Sequence, residues 1–399
     1  MDYLSSIISS MFSILLFIFF IATAGYLIGG IEIRGVSLGT AGVLLTALLF
    51  GVLASFVPEF TVGERTVTLF SSDLKSKFSF LSNIGTALFV TSVGLIAGPK
   101  FFRTFGRETM KYVYMGFFTI LIGSAVTLAL ILIDRGLSAS MAVGLMTGAL
   151  TSTPGLSSAK EVAGEGSDLV VAGYGIAYIF GVLGVVLFVQ LVPKFLHVDT
   201  AAERERFIAA GTVKLAPPKR ETVKIELLGF LPLFFTITLG CLIGAIRIPG
   251  INFSLGNSGG CLMAGLIVGH FGHVGRIDMR IDKATLSFFR ELGLVLFLIG
   301  AGVPAGVNFM STIRLTYFLY GAIITLIPMI GSFLIGRRFF GLDLFNNLGS
   351  ITGGMTSTPA LGALIATAGT DEVAASYAAT YPIALVFVVL VSKILLLVL

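Results

Sequence analysis

A chain that is written twice can fold only in ways that let one packing plan serve two halves. Here the plainest repeat is also the oddest phrase in the sequence: TGALTSTPGL begins at Thr147 and TGGMTSTPAL at Thr352. Four further pairs keep the same order. GYLIGGIEIRG from Gly25 answers GCLIGAIRIPG from Gly240, and SLGTAG from Ser37 answers SLGNSG from Ser254. GTALFVTSVGLIAGPKFF from Gly85 answers GLVLFLIGAGVPAGVNFM from Gly293, and YGIAY from Tyr174 answers YAATY from Tyr377. Partners in the first pair lie 215 residues apart and in the last 203, as small insertions would produce. Five collinear matches do not arise by chance; the chain is an internal duplication.

The repeat sits in greasy surroundings. Of 399 residues, 56% are hydrophobic and 12% charged, about half the charge of an ordinary soluble domain. Apolar runs long enough to cross a bilayer recur throughout, near 7–30, 36–56, 82–99, 112–133, 138–160 and 169–193, then near 226–246, 255–269, 289–307, 315–335, 345–367 and 374–398. The expected fold is an all-α polytopic membrane protein whose main partner is the lipid bilayer. Its net charge of +5 does not point to nucleic acid, because the basic residues sit in short loops between apolar runs. Cys241 and Cys261 fall inside apolar segments and read as small buried hydrophobes. FIFFIATAG ends like a signal cleavage site, but no Lys or Arg precedes Arg34 and the segment has a later twin, so it reads as a retained first span.

Domain limits follow: a first membrane repeat at 1–193, a polar linker at 194–224 and a second repeat at 225–399. Loop charge then sets orientation. The loop PKFFRTFGRETMKY has four bases and one acid, and the linker holds Lys194, Arg204, Arg206, Lys214, Lys219, Arg220 and Lys224. RIDMRIDK and GRRFFG are basic as well, so all four are placed inside, whereas 57–81 balances three bases with three acids. Six full crossings in the first half would put the loop near 98–111 and the linker on opposite faces. One segment must therefore enter and leave on one face. The best candidate is 138–160, broken at its middle by TSTPG, because proline removes a backbone donor. Each repeat then has five spans plus a re-entrant or broken element, an odd count that inverts the second repeat relative to the first. Both termini fall outside and the linker is cytoplasmic. A proline kink in an ordinary span is the competing reading.

The repeated phrase offers six hydroxyls: Thr151, Ser152 and Thr153, then Thr356, Ser357 and Thr358, followed by Pro154–Gly155 and Pro359–Ala360. A helix restarting after such a break exposes free N–H groups and a partial positive charge, suited to a carboxylate. Two breaks approaching from opposite faces could share one small carboxylate-bearing substrate. Gly148, Gly353 and Gly354 would permit close approach. Tyr178 and Tyr381, one helical turn after Tyr174 and Tyr377, are secondary candidates, though packing or interfacial anchoring explains paired tyrosines more often. Asn308, where the first half has Lys100, reads best as a loop cap. GLIAGP and GVPAG serve either the site or close helix packing.

No Asp, Glu, Lys or Arg is expected clearly mid-span, which disfavours a buried-carboxylate proton relay. Anion exchange, or coupling to Na⁺ held by carbonyls and hydroxyls, stays open. Membrane enzymes are a poor alternative. GNSGG at Gly256 fits the G-x-S-x-G pattern, but its twin GTAGV lacks the serine, and glycine packing accounts for it. His197, His270 and His273 form no metal pattern, and neither a metal nor another cofactor is expected. A channel with glycine-rich re-entrant loops is the stronger rival.

The twin TSTP phrases, in duplicated halves around an inside linker, resemble the aspartate–alanine exchanger family over nearly the whole chain. The resemblance implies exchange of amino acids or dicarboxylates across the bacterial plasma (inner) membrane. It implies an elevator-type fold of two inverted repeats, commonly a homodimer, with binding phrases at Thr151–Gly155 and Thr356–Ala360. One departure stands out. Many family members carry a large cytoplasmic regulatory insertion between the halves, and here the linker has only 31 residues.

Overall fold

A computed structural model describes residues 14–31, 39–57, 59–62, 65–68, 71–101, 110–198, 223–248, 253–307, 309–370 and 373–399, with the side chains of Thr358 and Pro359 left aside. Most of the linker and Asn308 therefore lie outside the described residues. Seven helices stand in each half among those residues, apart from single-turn pieces. The first half has α1 (Ile14–Gly29), α2 (Ala41–Phe56), α3 (Ser72–Phe101), α4 (Met110–Ile133), α5 (Ala139–Ala149), α6 (Thr153–Val162) and α7 (Ser167–Phe195). The second has α8 (Phe230–Ala245), α9 (Gly256–Phe271), α10 (Lys283–Val307), α11 (Leu315–Arg338), α12 (Leu344–Gly354), α13 (Thr358–Ala368) and α14 (Ala374–Val398). Each helix of the first half has its counterpart seven places on. Three short antiparallel strand pairs complete the inventory.

Among the described residues, six helices are long and apolar enough to cross a membrane: α3, α4, α7 and their counterparts α10, α11 and α14. Large apolar side chains face outward along the bundle, among them Phe19, Phe20 and Leu27 on α1, Phe234 and Leu242 on α8, and Leu319 and Leu334 on α11. Water would penalise such a surface; lipid would not. The chain is an all-α, multi-pass membrane protein.

Glycines set the packing seams. A side chain on Gly25, Gly29 or Gly42 would run into the facing backbone of α1 or α2, and the twin seam of α8 and α9 is made by Gly240, Gly244 and Gly260. Gly94 and Gly98 bring α3 against α9, while Gly302 and Gly306 bring α10 against α2. GLIAGP and GVPAG thus serve close packing. GNSGG does likewise: Gly260 abuts α8, and Gly256 takes a left-handed φ of +66° at the start of α9.

The helices form two groups. In one, α3 and α10 cross antiparallel, with Gly300 against Phe78 and Ser82 and Gly293 against Phe89, and α1, α2, α8 and α9 pack around them. The other contains α4–α7 and α11–α14. Pairings recur under exchange of the halves: α5 with α7 as α12 with α14, and α7 with α11 as α14 with α4.

Within the second group the broken elements turn back. Gly166, just past α6, lies against Ser140 at the start of α5. From there α7 runs beside α5 in the same direction, Val170 against Gly144 and Tyr174 against Gly148. In the second half Gly349 meets Val373 and Ser376, and Gly353 meets Tyr377, so α12 and α14 also run in parallel. At the other end of the chain's midpoint, Val223 pairs with the hairpin His273–Val274/Ile277–Asp278, accepting from Asp278 N at 2.9 Å and donating to Arg276 O at 2.9 Å. The linker's exit and the loop RIDMRIDK therefore share one face.

Candidate functional site

The two breaks have the same backbone. Helix α5 ends in a Schellman turn: Thr151 N donates to Gly148 O and Ser152 N to Thr147 O. Helix α12 ends identically, with Thr356 N on Gly353 O and Ser357 N on Thr352 O. The left-handed residue of such a turn is usually glycine. Here it is threonine both times, Thr151 at φ 51° and Thr356 at φ 50°. A β-branched residue in that region stores about 1–3 kcal/mol each time.

What the strain achieves is visible in the side chains. Thr151 Oγ1 donates to Met355 O at 2.8 Å, and Thr356 Oγ1 donates to Leu150 O at 2.9 Å. Glycine would relax the turn and lose the bond. The two breaks are thus stitched to each other by a reciprocal pair of hydrogen bonds between equivalent positions. After each turn a serine takes the N-cap position of the next helix at nearly the same dihedrals, Ser152 at φ −97°, ψ 94° and Ser357 at φ −94°, ψ 99°.

A cavity of about 360 Å³ borders this seam. Thr151, Thr153, Pro154 and Thr356 line it, as do Tyr174, Tyr178 and Tyr381. Thr153 and Tyr174 share a hydroxyl–hydroxyl bond of 3.0 Å. Ser152, Gly155, Ser357 and Ala360 are not on the wall but buried behind it, where Ser152 Oγ accepts from Gly155 N at 3.3 Å. Gly148 and Gly353 make room for Tyr174 and Tyr377, and Gly354 for Thr119, so these glycines admit helices.

The opposite wall carries two charged residues that sequence reasoning did not single out. Arg290 and Glu291, two turns into α10, both line the cavity. Glu291 Oε1 accepts from the hydroxyls of Thr40 and of Tyr26, the latter at 3.1 Å. None of the four ion pairs among the described residues involves Arg290. Ionisable groups also sit deep elsewhere. Lys393, 2% exposed on α14, donates to Glu161 Oε2 on α6 at 3.1 Å and to Leu255 O. Glu161 Oε1 in turn accepts from Ser258 N at 2.7 Å, tying α6 to the start of α9. Lys160 Nζ donates to Ser82 Oγ at 2.8 Å beside a second cavity of about 220 Å³. None of these charges is mid-span: Arg290 and Glu291 sit in the first turns of α10, Lys160 and Glu161 at the end of α6, and Lys393 in the last turns of α14.

A bundle with six membrane-length helices among the described residues and a cavity where hydroxyls and two charges meet apolar side chains fits the class of transporter-type integral membrane proteins. A family model described as a predicted permease membrane region matches residues 17–194 and 232–397, and the chain belongs to this family, the aspartate–alanine exchangers. It is 27% identical to an uncharacterized transporter of Bacteroides fragilis, with 96% of this chain and 97% of the relative covered. Transporters so named from Geobacter sulfurreducens, at 26% identity with 96% and 98% covered, and Desulfotalea psychrophila, at 24% with 94% and 95%, are also similar. The alignment to the Bacteroides protein spans 544 positions, more than this chain's 399 residues, so that relative carries segments absent here.

Proposed function

We propose that the protein is a secondary carrier, most simply an antiporter, that exchanges small carboxylate-bearing solutes such as amino acids or dicarboxylates across the bacterial inner membrane. The observation that carries this reading is the reciprocal Thr151/Thr356 stitch beside a hydroxyl-lined cavity. Alternating access needs one site approached by two equivalent, oppositely directed elements. The antiparallel crossing of α3 and α10, the parallel runs of α5 with α7 and α12 with α14, and the pairings that recur between halves support inverted repeats with re-entrant tips. Helices α1–α3 and α8–α10 would form the scaffold, and the eight others the moving part of an elevator. A homodimer through the scaffold follows from the family likeness alone. Loop charge puts the linker and the Val223 pairing in the cytoplasm, with both termini outside.

The test is counterflow in proteoliposomes preloaded with L-aspartate, L-alanine or succinate. Saturable uptake of labelled acid that requires internal acid is expected. Uptake driven only by a Na⁺ gradient would establish symport instead, and currents far above carrier turnover would establish a channel.

A further inference from the structure

Arg290 belongs to the six-helix group, whereas Thr151, Thr153, Thr356 and the tyrosines facing it belong to the eight-helix group. Guanidinium is always charged and has a rigid fork of donors that matches a carboxylate. Beside it Glu291 is already held by Thr40 and Tyr26, so its Oε1 is committed within the wall. The hydroxyl-bearing side chains of Tyr178 and Tyr381 line the same cavity. One wall therefore carries a cation without an ion-pair partner among the described residues, next to a carboxylate held by two hydroxyls, and the other carries neutral hydroxyls.

Symmetry makes this cation one-sided. In the alignment that pairs Gly85 with Gly293, Arg290 corresponds to Ser82 and Glu291 to Asn83. Those two neutral residues line the smaller cavity, whose charged groups, Lys160 and Glu161, are carried by α6 in the eight-helix group and not by the six-helix group. The larger cavity lies toward the face where α10 starts and Val223 joins the hairpin His273–Val274/Ile277–Asp278.

Resting on the carrier reading above, we infer that Arg290 binds the substrate carboxylate from the scaffold side, and only while the cavity faces the linker side. When the hydroxyl-bearing group moves relative to α10, the substrate leaves Arg290 behind and meets Ser82 and Asn83 in its place. Arg290 is then a sidedness determinant: it sets affinity on one face and leaves the other face unaffected.

Counterflow of L-[¹⁴C]aspartate is measured from each face of proteoliposomes whose protein orientation has been assigned, for wild type, Arg290→Lys and Arg290→Gln. Loss of a charge-assisted bond should raise KM about tenfold or more on the linker face for Arg290→Gln. KM on the opposite face should change less than about twofold, and Arg290→Lys should recover part of the loss. Equal shifts on both faces, or none on either, would overturn the inference while leaving the carrier standing. Wild-type vesicles that exchange none of aspartate, alanine and succinate would overturn the carrier reading, and this inference with it. Should Arg290→Gln fail to insert, the Arg290→Lys variant alone decides, through a KM shift confined to one face.

Discussion

The break after α5 and the break after α12 are copies down to a few degrees of backbone, yet the helices that follow them are not. Both turns place threonine at φ near 50° and send its hydroxyl to the other turn. Beyond the turn, α6 carries Lys160 and Glu161, and α13 carries Ile365 and Ala366 at the matching positions. Glu161 ties α6 to Lys393 and to the start of α9, while the counterpart of Lys393 on α7 is Gln190. Caps differ too: Ser152 Oγ holds Gly155 N, but Ser357 Oγ is buried with no partner among the described residues. Duplication has kept what the seam needs and let the anchorage to the scaffold diverge.

Three pairs of variants break or sharpen that comparison, each read as thermal unfolding in detergent. The largest contrast is Lys393→Met against Gln190→Met. The first leaves Glu161 without its cation and should cost about 3 kcal/mol, whereas the second should stay within about 0.5 kcal/mol. Adding Glu161→Gln to Lys393→Met should recover part of the loss, because the stranded charge goes. Equal losses at positions 393 and 190 would show that the anchorage is not one-sided.

Next come Thr151→Val and Thr356→Val, which keep the shape and delete the hydroxyls. Each strands one buried carbonyl and should cost about 1–3 kcal/mol, with nearly equal values, because the stitch is reciprocal. The double variant should be non-additive, since the two bonds share one seam. Smallest is the cap. Ser152→Ala should cost about 1 kcal/mol and Ser357→Ala close to nothing, since only the former hydroxyl accepts a helix N–H. A larger loss at Ser357 would reveal a bond that the first break lacks.

Much of this architecture was legible in the sequence. Apolar runs located the six membrane-length helices, TSTP located the breaks, and the collinear pairs match helix pairings that recur between the halves. Three things were hidden. Threonine at a Schellman turn carries no local mark, because its purpose is a bond to a carbonyl about 205 residues away. The charged wall was hidden by amphipathicity: Arg290 and Glu291 fall at the edge of the apolar run near 289–307, and only a helix that starts at Lys283 and buries Leu286 and Phe289 turns them to the cavity. Lys393 was hidden by a long aliphatic helix, where a single lysine barely dents the apolar average.

The central claim is that both breaks open onto one substrate-holding cavity. Thr153→Cys and Thr356→Cys, each in a background with Cys241 and Cys261 replaced, can be modified by a small maleimide with and without saturating transported acid. The account predicts that substrate slows modification at both positions over the same concentration range. Protection at one position only, or at neither while transport persists, would contradict it.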